Sequence, residues 1–170
     1  MEIERRFLVK DLSKLDLSKY KHKRIIQDYL YKDKFTAIRK RKTVVDKNVT
    51  YTYTIKTKKV GISVNELEDE ISEDEYNSLK VHPNFNHIDK TRYIIPYIDN
   101  LNIELDVFND NFDGIIFAEI EFKSEEQANS VKLPEWFGPE ITNKLTNSDM
   151  ASRSIDEILK FVENQTDACN

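Results

Sequence analysis

The chain contains very little cysteine and glycine, and these shortages exclude several kinds of site. Its one cysteine, Cys169, cannot form an intramolecular disulfide or a cysteine metal cluster, so a reducing compartment suits it. Its three glycines, Gly61, Gly114 and Gly138, lie far apart. A P-loop or a dinucleotide-binding fingerprint needs closely spaced glycines before a helix. The usual nucleotide-binding loops are therefore excluded.

Long apolar segments and an excess of positive charge are also missing. No segment approaches the ~18 apolar residues of a membrane-spanning helix, and the first ten residues carry charges where a secretory peptide would be apolar. The 31 acidic residues outnumber the 26 basic ones, giving a net charge of −5. This balance disfavours a nucleic-acid partner. We therefore expect a cytoplasmic protein that binds neither nucleic acid nor membrane.

Alternation of apolar and polar residues dominates the first two thirds of the 170-residue chain. Clusters of Asp and Asn between the alternating segments predict turns, so most neighbouring strands should pair antiparallel. Without an internal repeat or a linker, we expect a single domain over residues 1–170. The eight predicted strands are Glu2–Val9, Ile25–Tyr31, Thr36–Val44, Val49–Lys58, Asn65–Ile71, Ile88–Tyr97, Leu101–Phe108 and Ile115–Phe122.

Helical signals are fewer. Ser72 with Glu75, and Ser124 with Gln127, have the spacing of a capping box, which predicts a short helix after each serine. Apolar residues at helical spacing predict one longer helix from about Ser148 to Gln165.

Ionisable residues recur at every second position in seven strands, so each of these strands has one charged face. The simplest explanation is a sheet whose charged face meets solvent. That explanation is weaker for seven strands together, because the charges come in close pairs of one sign rather than mixed with neutral polar residues. If helices cover the outside of a closed barrel, rows of carboxylates and of Lys and Arg line its lumen, which suits a multivalent anion with divalent cations.

Several strand motifs resemble those of a known family. The opening Glu2-Ile3-Glu4-Arg5-Arg6 and the later Pro134-Glu135-Trp136-Phe137-Gly138 are the most informative. Further motifs lie at Ile38–Arg41, Tyr53–Lys56, Glu66–Ile71, Lys90–Arg92, Glu104–Phe108 and Ala118–Phe122. In this order they resemble the CYTH superfamily, the triphosphate tunnel metalloenzymes, and in particular its bacterial tripolyphosphatase-type branch. The resemblance implies an α+β, mainly β fold: a closed eight-stranded antiparallel barrel with helices packed outside, including a C-terminal helix.

The resemblance also implies roles for the charged residues. Mg²⁺ or Mn²⁺ takes oxygen ligands, and the carboxylates expected to hold it are Glu2, Glu4, Glu119 and Glu121. The alternative for each of them is a salt bridge to the arginines of the third strand. The groups expected to bind phosphate are Arg39, Arg41, Lys56, Lys90 and Arg92. The expected supporting residues of the lumen are Tyr29, Glu66, Glu68, Glu104 and Asp106.

Arg6 stands where the family usually has lysine. It keeps the positive charge but cannot act as a general base, so we expect it to be a catalytic-site clamp, while a metal ion activates the water. The resemblance thus implies a metal-dependent hydrolase of inorganic tripolyphosphate. A class IV-type adenylate cyclase, a thiamine or nucleoside triphosphatase, and a non-catalytic polyphosphate- or nucleotide-binding barrel remain alternatives. A homodimer is compatible with the sequence.

Overall fold

The structure, a computed structural model, describes residues 3–58 and 64–168, and the predicted metal ligand Glu2 lies outside them. Eight antiparallel strands form one sheet in the order β1-β8-β7-β6-β2-β3-β4-β5. Their bounds are β1 Ile3–Leu8, β2 Lys21–Lys32, β3 Thr36–Val45, β4 Asn48–Lys58, β5 Val64–Ile71, β6 Ile88–Pro96, β7 Asn102–Phe108 and β8 Ile116–Phe122. The eight predicted strands are confirmed. β2 begins earlier than predicted because residues 21–24 pair with β6.

The end strands of the sheet are β1 and β5, and no pairing between them occurs within the described ranges. The closed barrel therefore stays a prediction. The outer edge of β1 is instead hydrogen-bonded to a later segment: Leu8 N donates to Pro139 O at 3.0 Å, and Gly138 N donates to Leu8 O at 2.7 Å. A Cβ atom on Gly138 would lie 2.6 Å from Leu8 O, so only glycine allows this approach.

Four α-helices are described: α1 Glu73–Ser78, α2 Glu125–Ser130, α3 Asn147–Ser152 and α4 Ile155–Asp167. Short 3₁₀ turns lie at Leu17–Lys19, Ile98–Asn100 and Asp110–Phe112. The capping box of Ser72 and Glu75 is confirmed. None of the helices in the described ranges is long and apolar enough to cross a membrane.

The prediction of one helix over 148–165 is wrong. The chain is extended at Arg153, and the Ser154 side chain accepts a hydrogen bond from Glu157 N to begin a second helix. The apolar residues keep their helical spacing across this break, so the periodicity conceals it. Ser154 is an N-cap signal that the periodicity argument overlooked.

The residues with alternating charges share one face of the sheet, which we name the charged face. It includes Arg6, Arg39, Arg92, Asp106 and Glu119. The opposite face of β1, β6, β7 and β8 is apolar and is covered by α2 and by the segments around residues 12–20 and 131–137.

The helices α3 and α4 occupy a different position from the one expected. One end of the charged face is apolar, with Leu8, Ile88 and Phe117 all buried there. Met150 of α3 and Ile158 of α4 pack against this end. The expectation that the C-terminal helix packs outside the sheet is therefore wrong. The apolar strand ends needed burial, and the amphipathic helices bury them.

Candidate active site

The strand register brings the predicted site residues together. Arg6 lies opposite Glu119 across β1 and β8, and Arg92 lies opposite Asp106 across β6 and β7. Directly opposed residues of antiparallel strands have side chains on the same face, about 5 Å apart. The prediction from residue alternation, that these side chains share one face of the sheet, is therefore confirmed.

Glu119 lies between two arginines. Its Oε2 accepts from Arg6 Nε at 2.6 Å, and its Oε1 accepts from Arg92 Nη2 at 3.0 Å. Arg6 also donates from Nη1 to the carbonyl oxygen of Leu145 at 2.8 Å. Burial alone would raise the pKa of Glu119, but the charges of Arg6 and Arg92 outweigh it and hold that pKa below its usual range.

Asp106 binds both cations of β6, Lys90 and Arg92. It accepts from Lys90 Nζ at 2.5 Å and from Arg92 Nε at 2.6 Å. Its burial would raise its pKa, but these cations lower the pKa of Asp106 strongly. Lys90 is fully buried, and this desolvation lowers its pKa to about 7 although Asp106 opposes the shift. Arg92 also contacts Glu104.

Arg39 of β3 is paired more loosely than Lys56 of β4. Arg39 Nη2 lies 3.7 Å from Glu66 Oε1 and 3.8 Å from Glu68 Oε2, which is too far for a good hydrogen bond. Lys56 Nζ lies 2.6 Å from Glu66 Oε2. Burial opposes ionisation of Glu66, but the hydrogen bond and charge of Lys56, together with the charges of Arg39 and Arg41, outweigh it and lower the pKa of Glu66.

Arg41 is held by a neutral residue rather than by a carboxylate. Its Nε and Nη2 donate to Gln27 Oε1 at 3.2 and 3.1 Å. Three buried atoms around it have no hydrogen-bond partner among the described residues: Gln27 Nε2, Arg39 Nε and Thr52 Oγ1. Gln27 and Thr52 were not predicted as site residues, because the prediction used only the pattern of charged residues and both are neutral. Their parity with Tyr29 and Thr54 would have placed them on the charged face.

A cavity of about 790 Å³ reaches the charged face beside the edge of β1, between β1, the turn from β2 to β3 and the segment 140–149. Five predicted site residues line it: Glu4, Arg6, Tyr29, Arg39 and Lys56. Tyr29 is buried and also packs in the apolar cluster beneath α3. A volume of this size is typical of small-molecule sites.

The carboxylates near the rim offer oxygen ligands of the kind that Mg²⁺ and Mn²⁺ prefer. Glu4 and Glu121 are register partners, and Glu121 shares a recess of about 280 Å³ with Glu104. This donor set fits a hard divalent cation. Both carboxylate oxygens of Glu119 are engaged by arginines, so its predicted role as a metal ligand would require these ion pairs to open. No group of three or more His, Cys, Asp or Glu side chains within 3–58 and 64–168 is already arranged around a common point.

Comparisons with known proteins agree with the fold. An inorganic triphosphatase of Nitrosomonas europaea is 34% identical over 82 residues, which are 48% of this chain and 54% of that protein. The match thus spans about half the length of that relative. The crystal structure of the inorganic triphosphatase NE1496 covers 91% of this chain and 96% of its own, with a TM-score of 0.65 and 28% identity.

A more distant structure shares the fold. It is HpAC1 from Hippeastrum, a putative adenylyl cyclase described as having a dominant triphosphatase activity, with 19% identity, a TM-score of 0.53, and coverage of 76% of this chain and 83% of its own. No protein-family model matches the chain. These relatives confirm the resemblance to the triphosphate tunnel metalloenzymes that the strand motifs indicated.

Proposed function

We propose that this chain is a metal-dependent triphosphate hydrolase whose main substrate is inorganic tripolyphosphate. The observation that carries the proposal is the set of cationic side chains at one cavity of the charged face: Arg6, Arg39 and Lys56 line it together. Structural similarity to the inorganic triphosphatase NE1496 over 91% of the chain supports the same reaction class.

The protein's own residues would bind and polarise the substrate. Arg39 and Lys56 donate to phosphate oxygens, the arginine through two parallel donors and the lysine as a point charge. Arg41 lies two residues after Arg39 on β3 and adds positive charge to the same face. Phosphoryl transfer depends mainly on positioning and on neutralising the charge of the transition state, so this machinery needs no nucleophilic side chain.

A divalent cation would bind at the acidic rim. Glu4 and Glu121, with Glu104 beside them, are the residues that would hold Mg²⁺ or Mn²⁺, and Glu2 and Glu119 remain predicted ligands. The ion would supply Lewis-acid neutralisation of phosphate oxygens. Arg6 would orient the substrate from the interior of the site, because Glu119 and the Leu145 carbonyl fix its guanidinium.

The test is a phosphate-release assay on the purified chain with tripolyphosphate, ATP or thiamine triphosphate, in Mg²⁺, in Mn²⁺ and in EDTA. We expect phosphate release only when Mg²⁺ or Mn²⁺ is present. Among the three substrates, tripolyphosphate should release phosphate fastest. Arg39→Ala should reduce turnover and weaken binding, and Lys160→Ala, at an exposed position of α4, is the matched control. Formation of cyclic AMP from ATP would favour a cyclase. Tight tripolyphosphate binding without phosphate release would favour a non-catalytic barrel.

A further inference from the structure

The amide orientation of Gln27 is fixed by its neighbour. Arg41 donates two hydrogen bonds to Gln27 Oε1, and a guanidinium has no acceptor, so the oxygen must face Arg41. The amide nitrogen therefore points away from Arg41, and it has no partner among the described residues. Gln27 is fully buried, so bulk water does not satisfy this donor. A buried polar group without a partner destabilises the folded protein.

Thr52 is in a similar position on the other side of Arg41. Gln27 and Thr52 are the register partners of Arg41 on β2 and β4. Two residues further along β4, Thr54 donates to Glu68 Oε2 at 2.7 Å, whereas Thr52 Oγ1 meets no partner within the described ranges. The register partner of Thr52 on β5 is Glu70, but no hydrogen bond within the described ranges joins the two, so the Thr52 hydroxyl is left with an unused donor.

The surroundings of these donors are positively charged. Burial and the neighbouring charges of Arg39 and Arg92 lower the pKa of Arg41 to about 10, which reflects cations that lack full compensation. Arg39 contributes a further donor, its Nε, that has no partner in the part of the chain that the structure describes. Donors without partners thus lie at neighbouring positions of β2, β3 and β4, although Glu68 and Glu70 of β5 lie beside β4 on the same face. A phosphoryl group, with several oxygens on one centre, supplies the missing acceptors.

We infer that Gln27 and Thr52 are phosphate ligands: the Gln27 amide and the Thr52 hydroxyl donate to oxygens of one phosphoryl group of the substrate, while Arg39 and Arg41 neutralise its charge. The inference rests on the proposed triphosphate substrate and adds two neutral residues to its binding site.

The experiment measures tripolyphosphate binding to the full chain by titration calorimetry in EDTA, where binding is separated from turnover. Gln27→Met and Thr52→Val keep side-chain size and remove the donors. Each should weaken binding roughly tenfold, the worth of a hydrogen bond to a charged group. Thr91→Val, on the opposite face of β6, is the control and should bind as the unaltered chain does.

A second readout separates binding from a structural role. Thr52→Val removes a hydroxyl that is unsatisfied in the free protein, so it should raise the unfolding temperature without ligand while it weakens binding. Weaker binding together with unchanged or higher stability supports the inference. If the unaltered chain binds tripolyphosphate and both variants bind equally well, the inference is overturned but the proposed function stands. If the unaltered chain binds no tripolyphosphate in EDTA, the inference is overturned, and the proposed function falls with it only if phosphate release in Mg²⁺ and in Mn²⁺ is absent too.

Discussion

Arg6 and Glu119 form a nearly buried ion pair across the neighbouring strands β1 and β8, with side chains only 7% and 8% exposed. The guanidinium also reaches the Leu145 carbonyl, so one side chain ties β1, β8 and the segment before α3 together. This geometry uses the fork of an arginine, because one ammonium group cannot occupy both positions.

Replacing Arg6 by lysine should therefore cost stability. We expect Arg6→Lys to lower the free energy of unfolding by about 1–3 kcal/mol, since at least one buried hydrogen bond to a charged group is lost. Urea unfolding measures this, with Arg153→Lys at an exposed position as control, expected to change it by less than about 0.5 kcal/mol. A roughly hundredfold gain in phosphate release by Arg6→Lys would contradict the clamp role and indicate proton transfer at this position.

Removing charge from the acidic rim should weaken metal binding without unfolding the protein. We expect Glu4→Gln and Glu121→Gln to raise the Mg²⁺ or Mn²⁺ concentration needed for half-maximal phosphate release by about tenfold or more, because each loses a carboxylate ligand. Thermal unfolding should stay close to that of the unaltered chain. Glu163→Gln, on an exposed position of α4, is the control. Unchanged metal dependence in both rim variants would show that the ion binds elsewhere.

Gly138 should tolerate no side chain. Its Cβ would meet the carbonyl oxygen of Leu8 at 2.6 Å, a backbone atom that cannot rotate away. We expect Gly138→Ala to detach the segment from the edge of β1 and to lower the free energy of unfolding by about 1–3 kcal/mol. Gly114→Ala is the comparison, because that position has φ +89 but no atom within 4 Å of the Cβ. Equal costs at the two glycines would mean that the close contact is unimportant.

His87 should make stability depend on pH. Its Nδ1 lies 2.6 Å from Asp28 Oδ1, and this hydrogen bond raises the pKa of His87 above 6.5, with smaller contributions from Asp89 and Asp110. A raised pKa means that the folded state favours the imidazolium, so the stabilisation is complete below about pH 6.5 and is lost as the pH rises through the folded-state pKa.

The test compares the unaltered chain with His87→Gln by urea unfolding at pH 5.5 and pH 8.5. The stability difference between them should be larger at pH 5.5. His22→Gln, at an exposed position against Tyr93, is the control. A difference that is constant, or that grows toward pH 8.5, would reject the assignment of this dependence to the His87–Asp28 pair.

The strands and their charged face could be predicted from the sequence because both depend on a period of two residues. A single pair of charged residues two positions apart, such as Glu104 and Asp106, already shows this period. The sequence did not predict the position of α3 and α4. The strand ends are apolar at Leu8, Ile88 and Phe117. The alternation of residues there is the same as in a face turned toward solvent or toward a lumen, so it does not indicate that helices cover these ends. Only the assembled structure shows that they meet Met150 and Ile158.

The candidate site was predicted in composition but not in pairing. Sequence parity placed Arg6 and Glu119 on one face, yet which carboxylate each arginine would bind depends on strand order, and β8 lies beside β1 only because the chain returns there. Gln27 and Thr52 escaped because neutral residues give no charge pattern. Their importance depends on missing partners, which are a property of three-dimensional structure.

The pairing partners of β1 determine when this strand can take its final position during folding. Both sides of β1 are occupied by residues from far along the chain: β8 on one side, and the segment that includes Gly138 and Pro139 on the other. The consecutive strands β2, β3 and β4 form contacts much closer in sequence. Contacts between distant residues form slowly because loop closure costs entropy. During synthesis, the first strand therefore leaves the ribosome long before its partners and must wait without a strand neighbour.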